Sequence, residues 1–282
     1  GITSHFGPEL KRFVLAQYHQ GQSTIPRLLA MLDGFGVDIS KRQLVRLLIG
    51  GQTAFLDEAG AVLRTGLETA TWVTVDDTGA RHKARNGFCT HIGNDRFASF
   101  TTTGSKSRLN FLELLGAGDT RHLINNAAVA YMRAHNLSGK VIAQLTGHGV
   151  QQFANRAAWT AHLDALGISA LAVTPDPVQI ATEGALWGAI SERGLLGNTV
   201  IVSDGAGQFD VGRHAACWVH AERLVYKLDA FTEERRAAKE QIRARIDQRS
   251  FAAWEQLATA EDQETPSQLY ARIRGEMIDA ER

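Results

Sequence analysis

The sequence predicts an α/β protein: a mixed sheet with helical insertions, preceded by a small trihelical region. Apolar residues at helical spacing fill the first fifty positions, and three strand-like apolar runs follow between 71 and 103. A fourth run, TVIVS at 199–203, arrives only after a long helical stretch. The 282 residues, 44% of them hydrophobic, suffice for real cores.

Pro8 opens PELKRFVLAQYHQ, where Leu10, Phe13, Val14 and Tyr18 share a helical face. Ser23 is expected to cap STIPRLLAMLDGFG, and Gly34 and Gly36 to end it. ISKRQLVRLLIGG carries Ser40 and Gln43 at capping-box spacing, with Leu44, Leu47 and Leu48 inward and Lys41, Arg42 and Arg46 outward. Three short helices with a basic last one describe either a helix-turn-helix DNA-binding region over 1–50 or a plain packing unit. In the first case Lys41, Arg42 and Arg46 contact DNA.

TWVTV, GFCTHIG and RFASFTTT read as an antiparallel meander, with Asn94 and Asp95 marking the second turn. SKSRLNFLELLGAG closes it as a helix capped by Ser105 or Ser107, so 51–118 forms the first part of a core. Residues 119–197 read as a helical inserted segment with no internal repeat. The strand TVIVS then begins a second part of the core over 198–231, and 232–282 reads as helices.

Chemistry concentrates where the first and fourth strands end in acids, VDDTGARHKARNG and IVSDGAGQFD. Buried carboxylates are costly unless paired with a metal or a cation, and two on separate strands can share divalent ions. Strand alternation from Trp72 through Thr74 favours Asp76 over Asp77 as a ligand. The alternative is ordinary: Asp after a strand is a common turn or cap residue. His214, Cys217 and His220 lie three apart, but no CxxC partner accompanies them, so zinc is disfavoured. His220 and Arg223 are instead expected near the Asp204 rim, where they contact phosphate or serve as a core histidine and a surface arginine.

The net charge is zero, from 30 basic and 30 acidic residues, which argues against wholesale polyanion binding. Residues 80–108 nevertheless hold six Lys/Arg against the single acid Asp95, and 235–249 hold six against Glu240 and Asp247. Two cysteines exclude a disulfide framework, and no apolar run approaches a bilayer span, so a cytoplasmic protein is expected.

VDDTGARHKARNGF, IVSDGAGQFD and CWVHAERLVYKL, in that order behind a trihelical start, resemble the DDE transposases of bacterial insertion sequences, closest to the insertion-sequence-sixty-six group. The resemblance covers most of the chain. It implies a ribonuclease H-like fold, an upstream DNA-binding region and magnesium-dependent (or manganese-dependent) DNA cleavage followed by strand transfer. Two ions are expected in the intact site, held by Asp76 and Asp204, with Asp77 where a Glu is usual. Arg81, Lys83 and Arg85 then face the DNA backbone, and the segment after the second acid maps to Cys217, Trp218, His220 and Arg223. The implied partners are the element's ends and target DNA, with no membrane; a homo-oligomer on DNA at the bacterial nucleoid is expected.

The 119–197 helices exceed what such a fold requires, which marks a subgroup with its own inserted subdomain. The family's third acid, a Glu in an Asn-rich, Glu-Arg-type motif, is not found before Arg282; Glu255, Glu264 and Glu276 lack that context. The chain is therefore expected to stop inside a C-terminal helical insertion and to be incomplete or inactive alone. The alternatives are a non-catalytic DNA-binding protein derived from a transposase, or a metal-dependent nuclease without strand transfer.

Overall fold

The computed structural model describes residues 6–81, 84–217, 219, 220, 223, 227 and 232–256, with backbone alone from 246. The chain divides into two compact units, Gly1–Ala59 and Gly60–Arg282. The sequence reading placed its first boundary at residue 50 and treated 119–197 as a separate segment; in the structure that segment lies within the second unit.

The first unit packs α1 (Pro8–His19), α2 (Ile25–Gly34) and α3 (Lys41–Ile49) around Val14, Leu28, Leu32, Ile39 and Leu44. Pro8 occupies the first turn of α1, where its missing N–H costs nothing. Thr24, not Ser23, caps α2: its hydroxyl accepts from the Arg27 amide. Ser40 and Gln43 close a reciprocal capping box on α3, with the Ser40 amide donating to Gln43 Oε1 at 2.9 Å. Lys41, Arg42 and Arg46 are exposed on α3. Helix α4 (Thr53–Thr69) crosses the unit boundary.

The second unit is built on a mixed five-stranded sheet. Strands β1 (Trp72–Gly79), β2 (Phe88–Gly93) and β3 (Ala98–Thr103) form an antiparallel meander, turned at Asn94, whose side-chain oxygen accepts from the Arg96 amide at 2.8 Å. Later in the chain come two short strands, β4 (His122–Leu123) and β5 (Gln152–Phe153), which pair with each other. Strands β6 (Val200–Ser203) and β7 (Arg213–Ala216) then extend the main sheet in parallel, giving the order β3-β2-β1-β6-β7. From β1 the chain moves one way across the sheet and from β6 the other, so the boundary between these strands is a switch point.

On one face, Val73, Val75, Ile92 and Ile201 pack against Phe111, Leu112 and Leu115 of α5 (Arg108–Leu115), which Ser107 caps. Leu186 and Ile190 of the later helix Pro177–Glu192 join the same core. The other side of that helix packs against α6 (Asn126–Ala134), α7 (Gly139–Thr146) and α8 (Arg156–Ala165), around Met132, Leu145, Trp159 and Leu163. Numbered α9, it is buried on nearly every side over 180–190 because it divides two cores. At Gly188 a Cβ would lie on the Leu123 carbonyl, so only glycine permits this approach.

The inserted segment contains a repeat that the sequence reading missed. In each copy a short strand precedes an Asn that caps a helix: Asn125 Oδ1 accepts from the Ala128 amide and Asn155 Oδ1 from the Ala158 amide, each at 3.0 Å. Asn136 and Gly167, both at positive φ, end the two helices ahead of buried Leu137 and Ile168. The copies share Asn-x-Ala-Ala and little else, which hides them in the sequence. Helix α10 (Glu233–Gln256) is the last described element.

Candidate active site

The two acids of the sequence reading belong to neighbouring parallel strands, Asp76 within β1 and Asp204 just past β6. Strands β1 and β6 run parallel, paired from Trp72 opposite Val200 to Thr74 opposite Val202; Asp76 follows two residues later within β1, and Asp204 two residues later in the turn just past β6. Adjacent strands lie about 4.8 Å apart, a spacing one hydrated cation can bridge. Val73, Val75 and Ser203 are buried, so alternation turns Asp76 and Asp204 toward the face opposite the main core, and both are exposed. Asp76 Oδ1 accepts from the Asp77 amide at 2.8 Å, and Asp204 Oδ1 from the Ala206 amide at 2.9 Å. Gly205, at φ +82°, makes the sharp turn behind Asp204.

Asp77 points the other way. Its Oδ1 accepts the Thr90 hydroxyl at 2.5 Å, its Oδ2 the Gln208 amide group at 3.3 Å, and its backbone carbonyl the Lys106 ammonium at 3.2 Å. It is a structural acid that ties β1 to β2 and to the loop after β6. Thr90 and Gln208 were missed by the sequence reading because both partners are distant in the chain.

The rim continues onto β7. The Cys217 amide donates to the Ser203 carbonyl at 2.6 Å, setting Cys217 beside Asp204, and the His220 amide donates to the Cys217 carbonyl at 3.1 Å. Nδ1 of His220 is buried and has no hydrogen-bond partner among the described residues. Trp218 lies outside the described residues, and Arg223 is exposed. His214 Nε2 is hydrogen-bonded to Ser203 Oγ at 2.8 Å, directly beneath Asp204. Burial lowers its pKa, opposed by the charges of Asp210 and Asp204.

Basic groups gather at the same end. Arg81 and Arg85 are exposed in the β1–β2 connection, and Lys83 lies outside the described residues. Lys106 stands 5.4 Å from the centre of the Phe88 ring as well as on Asp77. Lys41, Arg42 and Arg46 belong to the first unit.

Asp76 and Asp204 are the residues that could hold a hard divalent cation. Magnesium is commonly held by one or two carboxylates, with water and phosphate oxygens completing its octahedron. Each exposed Asp spends one oxygen on a backbone amide and has no other hydrogen-bond partner among the described residues. Among the described residues no group of three or more His, Cys, Asp or Glu is arranged to hold a metal, either around Asp76 and Asp204 or at His214, Cys217 and His220. No described helix is long and apolar enough to cross a membrane.

No protein-family model matches the sequence, and no solved structure matches it. Among curated proteins it is similar to the uncharacterized protein y4jO of Sinorhizobium fredii, 43% identical over 167 residues. The match takes in 59% of this chain and 51% of that protein, so the chain spans about half the length of its curated relative.

Proposed function

We propose that this chain belongs to a DDE-type transposase of the insertion-sequence-sixty-six-like group, with a ribonuclease H-like second unit and a DNA-binding first unit. The observation that carries the reading is that Asp76 and Asp204 lie on and just past neighbouring parallel strands, β1 and β6, at a switch point of the mixed sheet. The basic residues around that end supply the charge that a phosphodiester substrate calls for.

In this reading Asp76 and Asp204 would hold divalent magnesium or manganese, which would supply Lewis-acid activation of an attacking oxygen and charge neutralisation at the phosphate. Asp77 fixes the strand end that presents Asp76. Arg81, Arg85 and Lys106 bind the DNA backbone, fixing register without reading sequence. Lys41, Arg42 and Arg46 on the capped helix α3 contact the element's ends. No covalent bond between protein and DNA is required.

The test, made on the full-length protein because this chain is expected from its sequence to be inactive alone, is nicking of supercoiled plasmid in Mg2+ or Mn2+, with capture of labelled oligonucleotide 3′ ends into the plasmid read in parallel. Nicking with capture, both lost in Asp76→Asn and Asp204→Asn, is the expected outcome. Nicking without capture indicates a nuclease, and activity surviving either substitution removes these residues from the site.

A further inference from the structure

Glu183 on α9 is 1% exposed, and a buried carboxylate persists only where partners replace its hydration. It has three, each from a different helix. Tyr131 of α6 donates its hydroxyl to Oε2 at 2.8 Å, Gln179 of α9 donates to Oε1 at 2.9 Å, and Arg108 at the start of α5 lies 3.8 Å from Oε2. So enclosed, Glu183 is unavailable as a third metal ligand.

The consequence lies on the other side of Arg108. Its Nε and a terminal nitrogen both donate to the Gly207 carbonyl, at 3.2 and 2.5 Å. Gly207 sits between Ala206, whose amide holds Asp204, and Gln208, whose side chain holds Asp77. Next in the chain, Phe209 packs edge-on against Phe111 of α5, with ring centres 5.0 Å apart. The loop after β6 is therefore fixed at three points, and the charged one depends on Arg108.

We propose that Glu183 and Arg108 are positioning residues for the Asp204 loop: the buried carboxylate holds the guanidinium, and the guanidinium holds Gly207 and with it the turn that presents Asp204 at the end of β6. This assigns the inserted helices a task at the site, since Tyr131 and Glu183 come from them. The inference rests on the metal-site reading only for its effect on metal binding; the mechanical link to the loop stands apart from it.

Two measurements keep the parts separable. Hydrogen–deuterium exchange of 204–209 is compared in wild type, Glu183→Gln and Arg108→Lys, the last keeping a charge but losing the two-pronged contact. Faster exchange in the loop, with protection of β1 and β2 unchanged, is expected in both variants; unchanged loop exchange overturns the proposal. Should Glu183→Gln fail to fold, Arg108→Lys, at the more exposed partner, carries the test. Titration of Mn2+ then reads the consequence: a 10–100-fold weaker affinity in the variants is expected, as for the loss of groups that orient metal ligands. Wild-type affinity in a variant whose loop exchanges faster overturns the claim that the held turn presents Asp204. Absence of Mn2+ binding in wild type counts against the site reading, while the exchange result still decides the link.

Discussion

Asp76 and Asp77 are neighbours of one type with opposite surroundings, and the pleat alone separates them. Asp76 stands in solvent, so Asp76→Asn is expected to leave the urea midpoint unchanged while weakening metal binding. Asp77 accepts from Thr90 and Gln208, and an Asn there turns its own donor toward one of them. Asp77→Asn is expected to cost on the order of 1 kcal/mol in urea unfolding, because it leaves a half-buried donor unsatisfied. The distinction was legible in the sequence, since alternation from Trp72 suffices to assign the faces. The partners were not: Gln208 reaches Asp77 only through the parallel pairing of β1 with β6, which no local pattern encodes. Glu183 was hidden for the same reason, a buried acid in a largely apolar helix whose partners come from three places in the chain.

Helices with local signals were readable and tertiary ones were not. The capping box of α3 needs only Ser40 and Gln43, and Ser40→Ala is expected to lower the stability of the first unit by about 1 kcal/mol, measured by thermal unfolding. The cap of α2 shifted from Ser23 to Thr24, because two adjacent hydroxyl residues both fit the pattern and only the chain's entry angle selects one. Strands β4 and β5 are two residues each, too short for any periodicity, and with them the repeat of the inserted segment escaped notice. Helix α9 was legible as a helix, but not as the divider of two cores. Gly188→Ala is expected to push α9 off α6 and β4 at a cost of roughly 1–3 kcal/mol, visible as a lowered Tm of the second unit.

For the molecule as a whole, acid should act through buried histidines. His122 and His162 each bury an Nε2 without a partner, and burial lowers both pKa values; for His162 the nearby His148 adds to the effect. In the unfolded chain these groups take up protons near pH 6.5, but in the folded protein only at lower pH. Their contribution is therefore complete above pH 6.5 and is lost as pH falls through the lowered folded values, so the urea midpoint should drop below pH 6.5. His122→Gln is expected to flatten part of that slope. The α/β class with a mixed sheet was readable from composition and strand runs, and a separate trihelical start from its helical spacing, whereas the continuity of the inserted segment with the sheet's core emerges only from packing. The central claim is that Asp76 and Asp204 form one cation site, and isothermal titration of Mn2+ into the chain tests it most directly, repeated with Asp76→Asn and Asp204→Asn. Binding in wild type that either substitution abolishes is the expected result; binding that survives both substitutions contradicts it.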